Sequence, residues 1–311
     1  MNRTIDDYLS EHNRLIVSAS PDHCLNTCSR EFGSGFYYRG MGDVRYELIS
    51  SLDRADASAT HMKYCGEKAF RFREQWYQRE FRKVAHNHLS ASSMPSTRLE
   101  WLAVMQHYGV PTRLIDLTRS PFIALYFAVR NWQSNTDAVV WAIGHERLHK
   151  SSFHRLQVAN FPYPVHDPDS YANEMQEFLN DQNFSAAFMS GKYEVAMILN
   201  PHWASTRLAA QQGAFLVSSA VSVDKTKMLV ELIEDDSHMD PHEAKILKEQ
   251  AYDISIRKLV IPSDQKKGIL KQLHRMNISA STLFPGIEGT AGGITEVGIL
   301  EDWESAMEEE I

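Results

Sequence analysis

The stretch that decides the fold is Gln106-His107-Tyr108-Gly109-Val110-Pro111-Thr112-Arg113-Leu114-Ile115-Asp116-Leu117-Thr118-Arg119-Ser120-Pro121. Upstream of it, residues 98–108 read as a helix, with Leu99, Leu102, Ala103 and His107 on one side. Gly109 closes that helix and Pro111 blocks its continuation. Residues 113–118 alternate apolar and polar, the period of a half-buried strand. Ser120 is placed as an N-cap and Pro121 in a first helical turn, which starts a buried helix over residues 122–132. Helix, tight turn, strand and helix thus follow one another without a linker.

Working outward, residues 1–16 predict a helix with Ile5, Tyr8, Leu9 and Leu15 on one face. Gly33, Gly35, Gly40 and Gly42 surround Phe36-Tyr37-Tyr38-Arg39, a strand entering a glycine-bounded turn. Residues 59–90 form a long helix in which Phe70, Trp76, Tyr77, Phe81 and Val84 recur at helical spacing. That spacing assigns them to the core and the mixed charges around them to solvent. Downstream, residues 137–143 are β-branched and aromatic, the mark of a central strand. Residues 145–190 read as irregular, with a helix at 171–180. Strands follow at 193–199, 214–218, 229–233 and 254–261, and a helix at 264–276 capped by Ser263 or Asp264. The order is not a regular βαβ alternation. The predicted class is α+β, one domain with a mixed sheet flanked by helices.

Charge narrows the function. The 311 residues carry a net charge of −8, and the last twelve hold six acids without Lys or Arg, leaving −2 for the rest. A nearly neutral body disfavours binding to duplex DNA through its phosphates. The acidic tail is a candidate contact for a protein partner, with Ile299, Leu300, Trp303 and Met307 as a docking stripe. The uncharged run at 120–129 is too short to cross a bilayer. The N-terminal residues hold two Asp and a Glu without an apolar core, so no secretory signal is expected there. Three cysteines, Cys24, Cys28 and Cys65, read as free thiols of a reducing cytoplasm.

The P-loop, the dinucleotide-binding glycine motif and the G-x-S-x-G elbow are absent. His145-Glu146-Arg147-Leu148-His149 matches H-E-x-x-H, the pattern of a zinc hydrolase with Glu146 as base. It begins directly after a strand, beside Arg147 and Lys150, and no metal is expected there. The denser polar cluster is the decisive stretch itself. An Asp among Leu and Ile needs a partner if buried, and Arg113 or Arg39 can supply it.

Phe36-Tyr37-Tyr38-Arg39-Gly40, with Tyr46-Glu47-Leu48 and Leu52-Asp53-Arg54, resembles the opening of the FRG domain, named for a Phe-Arg-Gly motif. Residues 106–116, continuing through Ala124-Leu125-Tyr126-Phe127-Ala128, resemble its central signature. Arg207 with Gln211-Gln212-Gly213-Ala214-Phe215 resembles its third block, and Leu283-Phe284-Pro285-Gly286 its close. The resemblance runs over residues 25–290, between an N-terminal helical extension at 1–24 and the acidic tail at 291–311. It implies a bacterial-like cytoplasmic protein but no defined reaction. A more distant similarity is to ADP-ribosyltransferases of the Arg-Ser-Glu type. It pairs Tyr38-Arg39 with their first strand, Leu117-Thr118-Arg119-Ser120 and the helix after it with their second motif, and Gln211-Gln212 with their third.

These similarities imply a pocket that takes NAD or another nucleotide. Arg39 would hold a phosphate bidentately, next to Gly40, which would let the ligand approach the backbone. His107, Tyr108, Arg113, Thr118 and Arg207 would complete the binding surface, with Thr118 fixing its geometry. Asp116 and Gln212 would be the catalytic pair. Gln212 would meet the nicotinamide ribose without supplying negative charge, and Asp116 would supply that charge if the fold brings it close. The alternatives are a non-catalytic module for an anionic partner and the zinc hydrolase of His145, Glu146 and His149.

Overall fold

Seven strands, β1 (Leu15–Val17), β2 (Phe36–Met41), β3 (Ile115–Thr118), β4 (Ala138–Gly144), β5 (Ala196–Leu199), β6 (Gly213–Ser218) and β7 (Ile256–Ile261), build one sheet. Their spatial order is β1-β7-β4-β2-β3-β6-β5. The computed structural model describes residues 9–10, 14–30, 35–58, 66–90, 93–162, 180–201, 205–220, 225–235 and 256–300. Every neighbouring pair is antiparallel except β1 and β7, which run parallel, so the sheet is mixed and the class is α+β. The longer helices are α1 (Pro21–Arg30), α2 (Ser51–Ser58), α3 (Gly66–Ala85), α4 (Arg98–His107), α5 (Pro121–Val129), α6 (His145–Val158), α7 (Lys225–Glu234), α8 (Lys266–Arg275) and α9 (Ile287–Leu300). Among the described residues no helix is long and apolar enough to cross a membrane.

Strand alternation divides the core. On β4, Val139, Trp141 and Ile143 face one side with Leu216 of β6 and with Leu229 and Ile233 of α7. Ala138, Val140 and Ala142 face the other side, against α5 and α8. On that second side the far end of the sheet is covered by a separate cluster, in which Phe215 and Val217 meet Leu99, Leu102 and Met105 of α4. A cleft lies where those two clusters part.

The decisive stretch folds as its local signals require. Thr97 caps α4 in a capping box with Glu100, Gly109 takes φ +81° at the turn, and Ser120 Oγ accepts the Ile123 N–H at the start of α5. Gly40 then fixes α5 on the sheet. A Cβ at Gly40 would lie 1.6 Å from the Ala124 carbonyl oxygen and 2.8 Å from the Ala128 nitrogen. Gly40 therefore serves the approach of a helix backbone, not of a ligand.

Several expectations are corrected. Leu15 and Ile16 belong to β1, not to a helix running to residue 16. Residues 229–233 are not a strand. Met228, Leu229, Leu232 and Ile233 pack as one face of α7, and their apolar content disguises a helical period in so short a window. Residues 145–158 are the helix α6 rather than irregular chain, while the helix expected at 171–180 lies, but for its last residue, outside the described residues. The helix expected at 264–276 begins as a 3₁₀ turn without a side-chain cap. In α3, Phe70 is buried, but Phe72, Trp76 and Val84 are exposed. The tail does not start free at residue 291. Residues 287–300 form α9, Leu300 is buried, and Glu296 accepts bonds from the Tyr126 hydroxyl (2.5 Å) and the Ala280 N–H (3.0 Å). Residues 301–311 lie outside the described residues.

The polar look of α6 has a structural cause. β5 is an edge strand, and α6 lies along it. Ser152 Oγ donates to the Ala196 carbonyl (2.7 Å) and accepts the Ala196 N–H (3.2 Å). His149 Nε2 accepts the Ile198 N–H (2.8 Å). Side chains thus satisfy edge groups that would otherwise invite another strand.

Gly40→Ala should cost about 3 kcal/mol or more, at or beyond the top of the overpacking range, because the clash is with backbone. Gly42→Ala, where the nearest atom to a Cβ is 3.8 Å away, should stay within about 1 kcal/mol of wild type. Urea unfolding midpoints of the two variants check the contrast.

Candidate functional site

β2 and β3 share one register pair, Tyr38 with Thr118, and then part. Arg39 spans the opening. Its Nη1 donates to the main-chain carbonyl of Asp116 at 2.6 Å, in place of the ladder bond the strands do not make. The same nitrogen lies 3.7 Å from Asp116 Oδ2. Gln106 Nε2 donates to Asp116 Oδ1 at 2.5 Å, and Gln106 Oε1 accepts from the Thr112 hydroxyl. Asp116 is therefore held from both sides, yet its side chain is 63% exposed, against 20% for Arg39. Burial lowers the pKa of Arg39. The Asp116 charge opposes that, and the positive charge of Arg54 adds to it. Arg39 Nε is buried and makes no hydrogen bond.

Beside this link lies a cleft of about 720 Å³. Arg39, Gly40, His107, Tyr108, Asp116, Thr118 and Arg207 all line it, so the structure brings together seven of the nine residues singled out in the sequence. His107 and Tyr108 come from the end of α4 with their rings edge to face at 5.0 Å. Arg207 sits on the short helix Thr206–Ala210, with its guanidinium 4.9 Å over the ring of Phe284. Thr118 supports the wall: its hydroxyl donates to the Gln211 carbonyl (2.8 Å) and accepts the Ser120 N–H (3.1 Å).

Two residues fall elsewhere. Arg113 is completely buried and pairs with Glu74 of α3, not with Asp116. Its Nε donates to Glu74 Oε1 at 2.7 Å and its Nη2 to Glu74 Oε2, while Nη1 reaches the carbonyls of Phe188 and Ser218. No donor is left for a ligand on that bidentate face. Gln212 is a turn residue with φ 46°. Its carbonyl accepts the Arg119 N–H and its N–H donates to the Ala209 carbonyl, both at 3.0 Å. Gln211 lines the cleft in its place and donates to the Leu283 carbonyl at 3.0 Å.

Sequence reading also missed Phe127, Phe215 and His88, which line the cleft. Phe127 lies on the same helix as Ala124, so the glycine–helix contact carries it there. His88 comes from the segment after α3, and no spacing signal marks it.

The H-E-x-x-H stretch does not behave as a metal motif. His149 Nε2 is taken by Ile198, Glu146 pairs with Lys150 at 3.2 Å, and His145 Nδ1 sits 2.6 Å from the Gly35 carbonyl. Among the described residues no cluster of three or more His, Cys, Asp or Glu is placed to hold a metal. Burial, with His145 beside it, pushes the His149 pKa down to about 3.

Residues 34–137 match the family model of the FRG domain. No curated protein and no solved structure matches the chain. The match takes in β2, β3, α4 and α5, the elements that carry Arg39, Asp116 and Phe127. It stops short of the later blocks read in the sequence, but the fold returns them to the same place: Arg207, Gln211 and Phe215 reach the cleft, and Phe284 backs Arg207.

Arg113→Ala should destabilise the fold by about 3–5 kcal/mol, since it leaves Glu74 buried without a counter-charge. Denaturant titration reads this directly. His149 gives a pH test. Its folded pKa, near 3, is depressed below the ordinary 6.5. Its contribution to stability is therefore full above pH 6.5, falls as pH drops below that value, and is gone below about 3, with a slope of up to about 1.4 kcal/mol per pH unit. His149→Gln keeps an acceptor for Ile198 and should flatten the stability profile between those limits.

Proposed function

We propose that the protein binds a nucleotide, NAD or a relative of it, in the Arg39–Arg207 cleft. The observation that carries this reading is two guanidinium groups on one cleft of about 720 Å³ whose walls also include Tyr108, Phe127 and Phe215. That size is within the range of ligand sites, and the pairing of aromatic surface with cationic forks suits a base or ribose joined to phosphate. Arg39 is held in a rigid position by the bond from its Nη1 to the Asp116 carbonyl. Arg207 is steadied by its stack on Phe284.

Asp116 is the one carboxylate among the described residues that line the cleft. In this reading it stabilises positive charge at a ribose carbon as the bond to the base breaks, the role for which Gln212 lacks both charge and position. Bound NAD would supply a glycosidic bond to a good leaving group. Gln106 keeps the carboxylate pointed in one direction.

A second reading, a module that binds an anionic partner without turning it over, has one observation in its favour. The Asp116 side chain is mostly exposed, and a solvated carboxylate stabilises developing charge weakly.

Calorimetric titration with NAD, ADP-ribose, ATP and short RNA separates ligand classes. Arg39→Lys and Arg207→Ala should each weaken nucleotide binding by about 1–3 kcal/mol, Arg39→Lys because an ammonium cannot make the two-pronged contact. Asp116→Asn should leave binding within a few fold and abolish release of nicotinamide from NAD. Nucleotide binding that survives both arginine changes unaltered overturns the assignment. Binding with no turnover in the wild type favours the second reading.

A further inference from the structure

Across the Arg39–Asp116 link lies a second, smaller cleft of about 200 Å³. Arg39, Gln106 and Asp116 belong to the walls of both. The walls peculiar to the smaller one include Arg54 on α2, Ile49 just before it, and Gly109 and Val110 in the turn after α4. Arg54 is exposed, and its Nη1 donates to the Ile49 carbonyl at 3.0 Å, which leaves most of its fork uncommitted. Arg39 contributes a guanidinium held at Nη1 by the Asp116 carbonyl.

Among the described residues, two guanidinium groups therefore share a small space with a single carboxylate. Asp116 is already engaged by Gln106 and by Arg39, so it does not neutralise Arg54 as well. The Arg54 charge in turn makes the protonated form of Arg39 costlier. An anion between them would relieve both.

We propose that this smaller cleft is a phosphate subsite, which holds the pyrophosphate of a nucleotide whose nucleoside occupies the larger cleft. A tetrahedral anion presents oxygens in several directions and can meet two guanidinium forks at once. The inference rests on the nucleotide reading of the larger cleft and adds Arg54 as the residue that reads the phosphates. Arg54 lies within the stretch that matches the FRG model and takes no part in the core.

The test compares ADP-ribose, adenosine and inorganic pyrophosphate on the full chain by calorimetry, for wild type, Arg54→Gln and Arg54→Lys. Arg54→Gln should weaken ADP-ribose by about tenfold, the loss of one charge-assisted hydrogen bond, and adenosine by less than about twofold. Arg54→Lys should fall between. Pyrophosphate should displace ADP-ribose from the wild type and fail to do so from Arg54→Gln. Melting temperatures should be equal, since Arg54 is exposed. An equal loss for ADP-ribose and adenosine, or no displacement by pyrophosphate in the wild type, overturns the subsite. Pyrophosphate that binds through Arg54 while no nucleotide binds keeps the subsite as an anion site and overturns the nucleotide reading instead.

Discussion

The molecule is organised by one close contact, the backbone of α5 resting on the α-carbon of Gly40. No side chain fits between them. This contact sets the depth at which α5 lies on the sheet, and α5 in turn carries Ala124 and Ala128 against β2 and Phe127 into the cleft. Arg39, next in the chain, is thereby fixed beside the opening between β2 and β3. Two consecutive residues divide the structural work: the glycine seats the helix and the arginine crosses the gap.

Three arginines drawn from similar-looking motifs meet three different fates. Arg113 is buried with Glu74 and two carbonyls, and it ties α3, β3 and the end of β6 into one core. Arg39 bridges two parted strands with part of its fork to spare. Arg207 lies over an aromatic ring at the cleft wall. Identical chemistry is sorted by what the fold places nearby: a buried carboxylate, an unpaired strand carbonyl or a phenyl face.

What the sequence discloses is what local physics settles. Gly109, Ser120 with Pro121 and the apolar run of β4 act within a few residues, and the elements they mark form where expected. The partner of Arg113 lies 39 residues upstream on another helix, where no spacing rule reaches it. α6 was obscured because its buried face mixes Leu148, Phe153 and Leu156 with His149, Ser151 and Ser152, residues that normally announce solvent. His149 and Ser152 are buried because they seal β5, while Ser151 donates to the Asp235 carbonyl at 3.4 Å. His107, Tyr108, Asp116 and Thr118 were legible because they cluster around one turn in the chain, whereas Arg39, Gly40 and Arg207 reach the cleft from elsewhere. Gln212 misled by a single position: its left-handed backbone turns Gln211, not Gln212, toward the cleft.

The parallel pairing of β1 with β7 joins Leu15 to Lys258 and Val17 to Val260, and Arg14 is clasped to Glu234 near the same place. These contacts span most of the chain. During synthesis β1 has nothing to pair with until β7 leaves the ribosome, whereas β2, β3 and β4 can assemble with α5 much earlier. Closure of so long a loop carries a large entropic cost and slows the last stage of folding. The region from β2 to β4 can thus assemble before the first strand docks to complete the sheet.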